Sequence, residues 1–408
     1  MKKYLSILII TALFGFILAG CNSAGTSSSE KSSSGASGSK AEIPIGLWAT
    51  ITGPDSNVNG MVVGIKDYLV WANETKDGVN GHHFKVELLD GKYDMNEEIK
   101  HFNRFVNVDK SIVIGAWSTG VTKALRDKIN QEVKVPVISM THTEDVIDPE
   151  KYPFIFTLGP TYESQHKIAM EFAKENGAKT FAFIHNDKEY GSASVENVIK
   201  EKYAESLGLE VVANVSYPIT TSDVTAQLLQ IKEKNPDYIY IQDSVNNVVT
   251  ILRDAEKVGI PAEKFIGNFF GVSQIIIDTV GKGAEGFKSI QAFSSFDEDN
   301  ATIAEIKEFQ KTNKIQTEDQ YFVKGWVIGK LIEEAVKKAL EKNNGEIPET
   351  AEFRQLVQQE LENISGFDVG GGLKEVNYAD HKGSNIAKIV EIRDGKYVQL
   401  TDWIEPSK

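Results

Sequence analysis

The sequence contains a single cysteine, Cys21, among its 408 residues. One cysteine excludes an intramolecular disulfide and a zinc site built from four cysteines. Basic residues are also outnumbered, because 44 Lys and Arg stand against 58 Asp and Glu, which gives a formal net charge of -14. A surface this acidic repels phosphate backbones, so we expect no nucleic-acid partner.

The residues give no support for catalysis or for a bound cofactor or metal. The seven histidines show no H-E-x-x-H spacing, and His82 with His83 is only an adjacent pair. Residues 281–286 fit G-x-G-x-x-G, but a helix is predicted before them and a strand after them, the reverse of a dinucleotide site. No G-x-S-x-G pattern surrounds Ser118. We therefore predict a protein that is not an enzyme.

Long apolar runs are rare, and the only one that approaches membrane-spanning length is N-terminal. Lys2 and Lys3 precede an almost unbroken apolar run at residues 4–18, which is typical of a secretory signal peptide, here residues 1–20. The four residues that end at Cys21 resemble the lipobox of bacterial lipoproteins. That resemblance implies cleavage before Cys21 and diacylglycerol on its sulfur. An uncleaved anchor helix is the alternative, but it leaves the position of the sole cysteine unexplained.

The segment after the lipobox is predicted to be a flexible linker. Twelve of the nineteen residues at 22–40 are Ser or Gly, and none is large and apolar. Random-coil scaling gives such a linker a reach of about 25 Å. Residues 1–40 carry a net charge of +3, so the remainder carries -17 and is not expected to bind anionic lipid unaided. We therefore predict an extracytoplasmic protein that contacts a bacterial membrane through lipidated Cys21 only.

From residue 43 onward, short β-branched runs alternate with longer amphipathic stretches. This alternation predicts parallel sheets with helical crossovers, and two successive series predict an α/β protein with two doubly wound lobes. The first series has strands at 43–51, 84–89, 111–117 and 135–141 and helices at 61–74, 96–106 and 120–131. The second has strands at 180–185, 210–216, 238–243 and 265–268 and helices at 163–176, 192–207, 222–234 and 246–258.

The last third of the chain lacks enough strands for a third domain and is predicted to complete the two lobes. It has a strand at 287–293, helices at 301–312, 321–342 and 351–362, and a hairpin at 387–400 that turns at Asp394 and Gly395. We assign 41–160 and about 288–375 to an N-terminal lobe, and 161–287 and about 376–408 to a C-terminal lobe.

Candidate binding residues follow the predicted strands, because open parallel sheets bind ligands beyond the carboxyl ends of their strands. Ser118 and Thr119 open a helix whose free N–H groups favour an anion, although either residue could simply cap that helix. Instead of contacting a ligand, Trp48 and Trp117 could pack in the core, and Tyr190 could pack on the surface of a lobe. His142 could be a spacer. The candidates are Trp48, Trp117, Ser118, Thr119, Thr141, His142, Thr143, Tyr190, Asp243 and Phe269.

Several segments resemble those of branched-chain amino acid binding proteins of ABC transporters. The resemblance is carried by residues 45–54, 113–119, 136–139 and 185–191 and by the hairpin at 394–396, in the family's order. It implies the type I periplasmic binding protein fold, with two lobes joined by three hinge crossovers. It also implies that the lobes close over a small solute and present it to ABC permease subunits.

The resemblance implies roles for individual residues as well. Segments matching Ser118, Thr119 and residues 141–143 hold the ligand carboxylate, and Tyr190 closes from the other lobe. The ligand ammonium usually meets an acidic residue near Phe269, where this sequence is apolar. Either Asp243 supplies that carboxylate or the ligand lacks an ammonium, so we expect an amino acid, an amide or a small organic acid. The alternative function is a ligand-sensing receptor module that signals to a membrane partner.

Overall fold

The computed structural model describes residues 41–313, 319–374 and 376–407. The predicted signal peptide, the lipobox with Cys21 and the linker lie outside these residues. The strands are β1 (Ile43–Ala49), β2 (Phe84–Asp90), β3 (Val113–Ala116), β4 (Val137–Ser139), β5 (Ile155–Phe156), β6 (Thr180–Asn186), β7 (Glu210–Tyr217), β8 (Tyr238–Gln242), β9 (Phe265–Gly267), β10 (Lys288–Gln291), β11 (Lys388–Arg393) and β12 (Lys396–Gln399). The helices are α1 (Gly60–Lys76), α2 (Met95–Asn107), α3 (Thr119–Asp127), α4 (Tyr162–Glu175), α5 (Glu189–Lys200), α6 (Tyr203–Ser206), α7 (Thr225–Lys234), α8 (Val245–Val258), α9 (Gln274–Val280), α10 (Ala301–Asn313), α11 (Gln320–Lys342) and α12 (Thr350–Glu362).

The strands form two sheets, which define the two lobes. The first lobe has five parallel strands in the order β2-β1-β3-β4-β5. The second has seven, in the order β12-β11-β10-β9-β8-β6-β7, in which only β11 and β12 run antiparallel to their neighbours. The predicted α/β class with two doubly wound lobes is confirmed.

Both sheets have the same switch in strand order. In the first lobe β1 lies between β2 and β3, and in the second β6 lies between β7 and β8. Successive crossovers therefore leave on opposite faces, and a crevice opens beyond the carboxyl ends of β1 and β3 and of β6 and β8. The fold positions a binding site at those four strand ends.

Parallel strands covered by helices on both faces need apolar residues throughout, and β1 shows this pattern. Ile43, Ile45 and Leu47 are buried on one face of the sheet, and Trp48 is buried on the opposite face. Ala49 is buried at the end of the strand. The strand thus anchors the first lobe in a core on each side of its sheet.

The chain passes between the lobes three times, after β5, after β10 and before β11. The first and third crossovers run side by side, since Thr157 N donates to His381 O at 2.9 Å and Gly159 N donates to Lys382 O at 3.0 Å. The three hinge crossovers implied by the resemblance are confirmed.

The largest differences from the predicted elements lie in three places. Strand β5 has two residues and was not predicted, because so short a run has no measurable periodicity. The helix predicted at 192–207 is two helices, interrupted at Lys202, whose φ is 57°. Strand β10 pairs with β9 of the second lobe, so the return to the first lobe comes after Gln291 and not at about residue 288. None of the helices in the described ranges is long and apolar enough to cross a membrane.

Candidate functional site

A cavity lies between the two lobes, at the switch points of both sheets. The cavity is small in this closed arrangement: its free volume is about 20 Å³, room for about one water molecule, so a solute fits only after the lobes move apart. The first lobe contributes Asp55, Val58, Met61, Tyr93, Trp117, Ser118, Thr119, Met140 and Thr141, and the second contributes Tyr162, Tyr190, Ser244 and Phe270.

Direct contacts between the lobes enclose this cavity. Ser244 Oγ donates a hydrogen bond to Asp55 Oδ1 at 2.7 Å, and Asn246 Nδ2 donates to Pro54 O at 3.0 Å. Farther out, Lys123 Nζ pairs with Glu189 Oε2 at 2.9 Å. Most of the lining side chains are buried. A solute can reach this cavity only when the lobes part.

Hydroxyl groups and a helix N-terminus form part of the cavity wall. Thr119 begins α3, and its Oγ1 lies 2.7 Å from Thr141 Oγ1. Ser118 precedes the helix with a φ of 61°, and no side chain of the described residues caps α3. The first N–H groups of α3 are therefore available to an anion.

The Ser118 hydroxyl is bonded to a buried acid behind it. Its Oγ donates to Glu98 Oε2 at 2.5 Å, while Glu98 Oε1 has no partner among the described residues. Burial raises the pKa of Glu98 to about 8, against the weaker opposing effect of its hydrogen bonds. A protonated Glu98 can donate to Ser118, which frees the Ser118 proton for a ligand.

Asp55 is the one carboxylate among the lining residues. Burial raises its pKa to about 6, although the bond from Ser244 opposes this shift. Among the described residues its side chain has no other hydrogen-bond partner. No lysine, arginine or histidine lines the cavity in the described part of the chain.

Aromatic rings form much of the remaining wall. Tyr190 meets Tyr162 edge to face at 5.3 Å between centroids and Phe270 at 5.7 Å. Its hydroxyl accepts from Asn268 Nδ2 at 2.9 Å, which holds the ring in place. Tyr93 and Trp117 complete the aromatic set. The cavity therefore combines one acid, several hydroxyls and five rings.

Of the ten candidate residues, half line the cavity and half lie behind it. Asp243 does not line it: its carboxylate accepts from Ser244 N at 2.7 Å and Asn247 Nδ2 at 3.1 Å and contacts the Tyr217 hydroxyl. Phe269 packs behind Phe270, with ring centroids 4.1 Å apart. The residues that line the cavity are Trp117, Ser118, Thr119, Thr141 and Tyr190.

The other three candidates behind the lining also have protein partners. Trp48 Nε1 donates to Trp117 O at 3.2 Å, so it supports the wall. His142 packs on Tyr162 at 5.4 Å and contacts buried Lys324. Thr143 Oγ1 lies 3.1 Å from a Glu163 carboxylate oxygen, to which it donates.

Sequence reasoning missed Asp55, Tyr93 and Tyr162. Asp55 directly follows the segment 45–54 that carries part of the family resemblance. Tyr93 and Tyr162 follow β2 and β5, which are edge strands of the first sheet. Their signal was a polar or aromatic residue within six residues after a strand, in a loop for Asp55 and Tyr93 and at the start of α4 for Tyr162. No three His, Cys, Asp or Glu side chains in the described ranges are grouped to hold a metal ion.

Known proteins resemble this chain in sequence and fold. The family model described as periplasmic binding protein matches residues 42–396. A Leu/Ile/Val-binding protein homolog 7 from Brucella abortus is 23% identical over 325 residues, which cover 74% of this chain and 79% of the relative.

Two solved structures show the breadth of the fold. A branched chain amino acid ABC transporter from Thermus thermophilus with bound valine has a TM-score of 0.81 at 24% identity, covering 90% of this chain and 97% of its own. A fatty acid ABC transporter substrate-binding protein from Thermomonospora curvata has a TM-score of 0.78 at 17% identity, covering 90% and 92%. The two share their architecture with this chain but are described with different ligands.

Proposed function

The chain belongs to the periplasmic binding protein family, and on that premise we propose that it is the substrate-binding protein of an ABC importer. It binds a small amino acid, or a related carboxylate or amide, between its two lobes and delivers it to permease subunits. A lipid on Cys21 holds it at the outer face of a bacterial membrane.

The enclosed cavity between the lobes carries this proposal. A solute that contacts both lobes favours the closed arrangement, because its contacts to the second lobe exist only after closure. Ser118, Thr119 and the N-terminus of α3 suit a carboxylate on the first lobe. Tyr190 and Phe270 cover it from the second lobe.

Thermal melting of the purified protein against amino acids, amides and small organic acids tests binding. A ligand at a hundred times its dissociation constant adds about 2.7 kcal/mol, which raises the melting temperature by several degrees. Tyr190→Ala should abolish the shift, while the exposed Asp297→Asn should keep it. If a cooperatively melting protein responds to none of these solutes, the proposed solute class is wrong.

The membrane anchor is tested by fractionation of bacteria that express the chain. We expect the native protein in the membrane fraction and the Cys21→Ser variant released from it, because one thioether-linked diacylglycerol group supplies two acyl chains. A variant that stays in the membrane fraction would show that another part of the chain provides the anchor.

A further inference from the structure

Asp55 is a buried acid without a cation to balance it. Its side chain is 4% exposed, and Ser244 Oγ is the only hydrogen-bond donor to it among the described residues. The second carboxylate oxygen has no such partner. This buried charge is costly, since a buried charge needs a counter-charge or full hydrogen bonding.

The surrounding groups make the cavity more negative. Asp243 directly precedes Ser244 in the chain, and the negative charges of Asp243 and Asp55 repel each other. No lysine, arginine or histidine of the described residues lines the cavity to offset them. The cavity would therefore bind a positively charged group of a ligand better than a neutral or negative one.

The aromatic rings that line the cavity also favour a positively charged ligand. Tyr93, Trp117, Tyr162, Tyr190 and Phe270 all line the cavity with Asp55. The face of an aromatic ring carries negative charge and attracts a cation within about 6 Å of its centroid. Enclosure by aromatic rings is a known way to bind an ammonium group.

Asp243, the carboxylate suggested by the sequence, is already occupied. Its oxygens accept from Ser244 N and Asn247 Nδ2 and contact the Tyr217 hydroxyl. It does not line the cavity. Asp55 is thus the carboxylate with an oxygen left for a ligand.

We propose that Asp55 is the counter-ion for a ligand ammonium group, held within the aromatic wall, and that the site selects compact ammonium-bearing solutes over isosteres without that charge. This inference rests on the proposed function, because it names the ligand class of the same cavity. The carboxylate of such a solute would lie beside Ser118 and Thr119, which line the same cavity.

Matched probes that differ in one charged group test this selectivity by titration calorimetry at pH 7.5. We use leucine and phenylalanine, the amines 3-methylbutylamine and phenethylamine, and the acids 4-methylpentanoate and 3-phenylpropanoate. At least one amino acid should bind, and its acid, which lacks the ammonium, should bind at least about tenfold more weakly, a difference of about 1.4 kcal/mol. An acid that binds as tightly as its amino acid overturns the inference.

Asp55→Asn assigns the effect to this carboxylate. The variant should lose at least about tenfold in affinity for the amino acid and should leave the affinity for the acid unchanged or improved. Asp297→Asn, an exposed site with the same change in charge, should bind as the native protein does. If Asp55→Asn fails to melt cooperatively, Asp55→Glu keeps the charge and is expected to retain the preference for ammonium.

The two proposals fail differently. If none of the probes and none of the solutes of the melting panel binds, both the solute-binding function and the ammonium site are wrong. If an acid or amide binds while no ammonium-bearing probe does, or if Asp55→Asn leaves amino acid affinity intact, only the counter-ion role fails.

Discussion

Three buried acids near the cavity determine how the protein responds to pH. Burial raises the pKa of Asp55 to about 6, of Asp243 to about 7 and of Glu98 to about 8. The unfolded chain holds ordinary carboxyl groups, so between about pH 4 and 8 the folded state binds more protons. The free energy of unfolding therefore decreases as pH rises through this window.

The first prediction concerns the stability of the ligand-free protein. Its melting temperature should fall between pH 5 and pH 8, and the titration of Asp55 alone should account for about 1–2 kcal/mol of that loss. Asp55→Asn should raise the melting temperature at pH 8 and change it little at pH 3, where Asp55 is mostly protonated in both the folded and the unfolded state. A stabilisation that is equal at both pH values would contradict this, and Asp297→Asn provides the control.

The second prediction concerns affinity. An ammonium-bearing ligand needs ionised Asp55, so its dissociation constant should be about tenfold higher at pH 5 than at pH 7. Tyr93, Tyr162 and Tyr190 face the same space, but burial raises the pKa of each, and they stay neutral. Calorimetry should show that the dissociation constant of Asp55→Asn changes less with pH than that of the native protein.

Any pH dependence of the dissociation constant that remains in Asp55→Asn should come from Asp243 and, near pH 8, from Glu98. A slope identical to that of the native protein would show that Asp55 does not titrate with ligand binding.

At the residue scale, sequence reasoning located positions that directly follow the strands at the switch points. Ser118, Thr119 and Tyr190 were found in this way and line the cavity. It could not separate Phe269 from Phe270, because a short 3-10 turn sets which ring faces inward. It also could not see that Asp243 is fully bonded, since Tyr217 and Asn247 are brought to it only by folding.

At the scale of elements, the packing of α1 against α11 depends on glycines. A Cβ on Gly64 would lie 2.5 Å from Phe322 O, and one on Gly325 would lie 2.2 Å from Met61 O. Neither contact can be relieved by a side-chain rotation, because the partner atoms are backbone. The two helices therefore approach more closely than any larger residue permits.

Gly325→Ala tests this contact. We expect a loss of at least about 1–3 kcal/mol in the free energy of unfolding, the usual effect of overpacking. The matched control is Gly120→Ala in α3, where the nearest atom to a Cβ is the end of the Met95 side chain at 3.4 Å. Urea denaturation of both variants measures the difference. Equal stabilities would show that the helices can separate at little cost.

The sequence predicted the long elements well because their periodic patterns span many residues. Helix α11 was predicted at 321–342 and observed as Gln320–Lys342. The break between α5 and α6 was missed, since Lys202 adopts a left-handed conformation that its residue type does not favour. The lobe that receives β10 was not predictable from local pattern, because strand pairing is decided by the whole sheet.

At the scale of the whole molecule, the lobes meet through a few polar contacts around an enclosed cavity. Asn246 of the second lobe donates to Pro54 O and contacts Asn57 of the first lobe. Lys123 and Glu189 add an ion pair at the surface, where such pairs contribute little. The contacts are modest in number and strength, so a bound solute can decide whether the lobes stay together.

Asn246→Ala should weaken ligand binding severalfold without changing the melting temperature of the ligand-free protein. The reason is that the lost contacts exist only between the closed lobes. Thr250→Ala is the control, because its hydroxyl bonds only to the backbone of the same helix. Small-angle scattering should show that Asn246→Ala needs more ligand to become compact. Unchanged affinity would mean that these contacts do not stabilise closure.

The packing of α1 on α11 has a consequence for how the chain acquires its structure. About 240 residues separate the end of α1 from the start of α11, and all the parallel strands of the second lobe lie between them. Until α11 docks, the first lobe has one apolar face of α1 uncovered, while the second lobe already has all its parallel strands and can pair them. The lobe that is synthesised first is thus completed late, and a chain released before α11 would expose the surface that chaperones and proteases recognise.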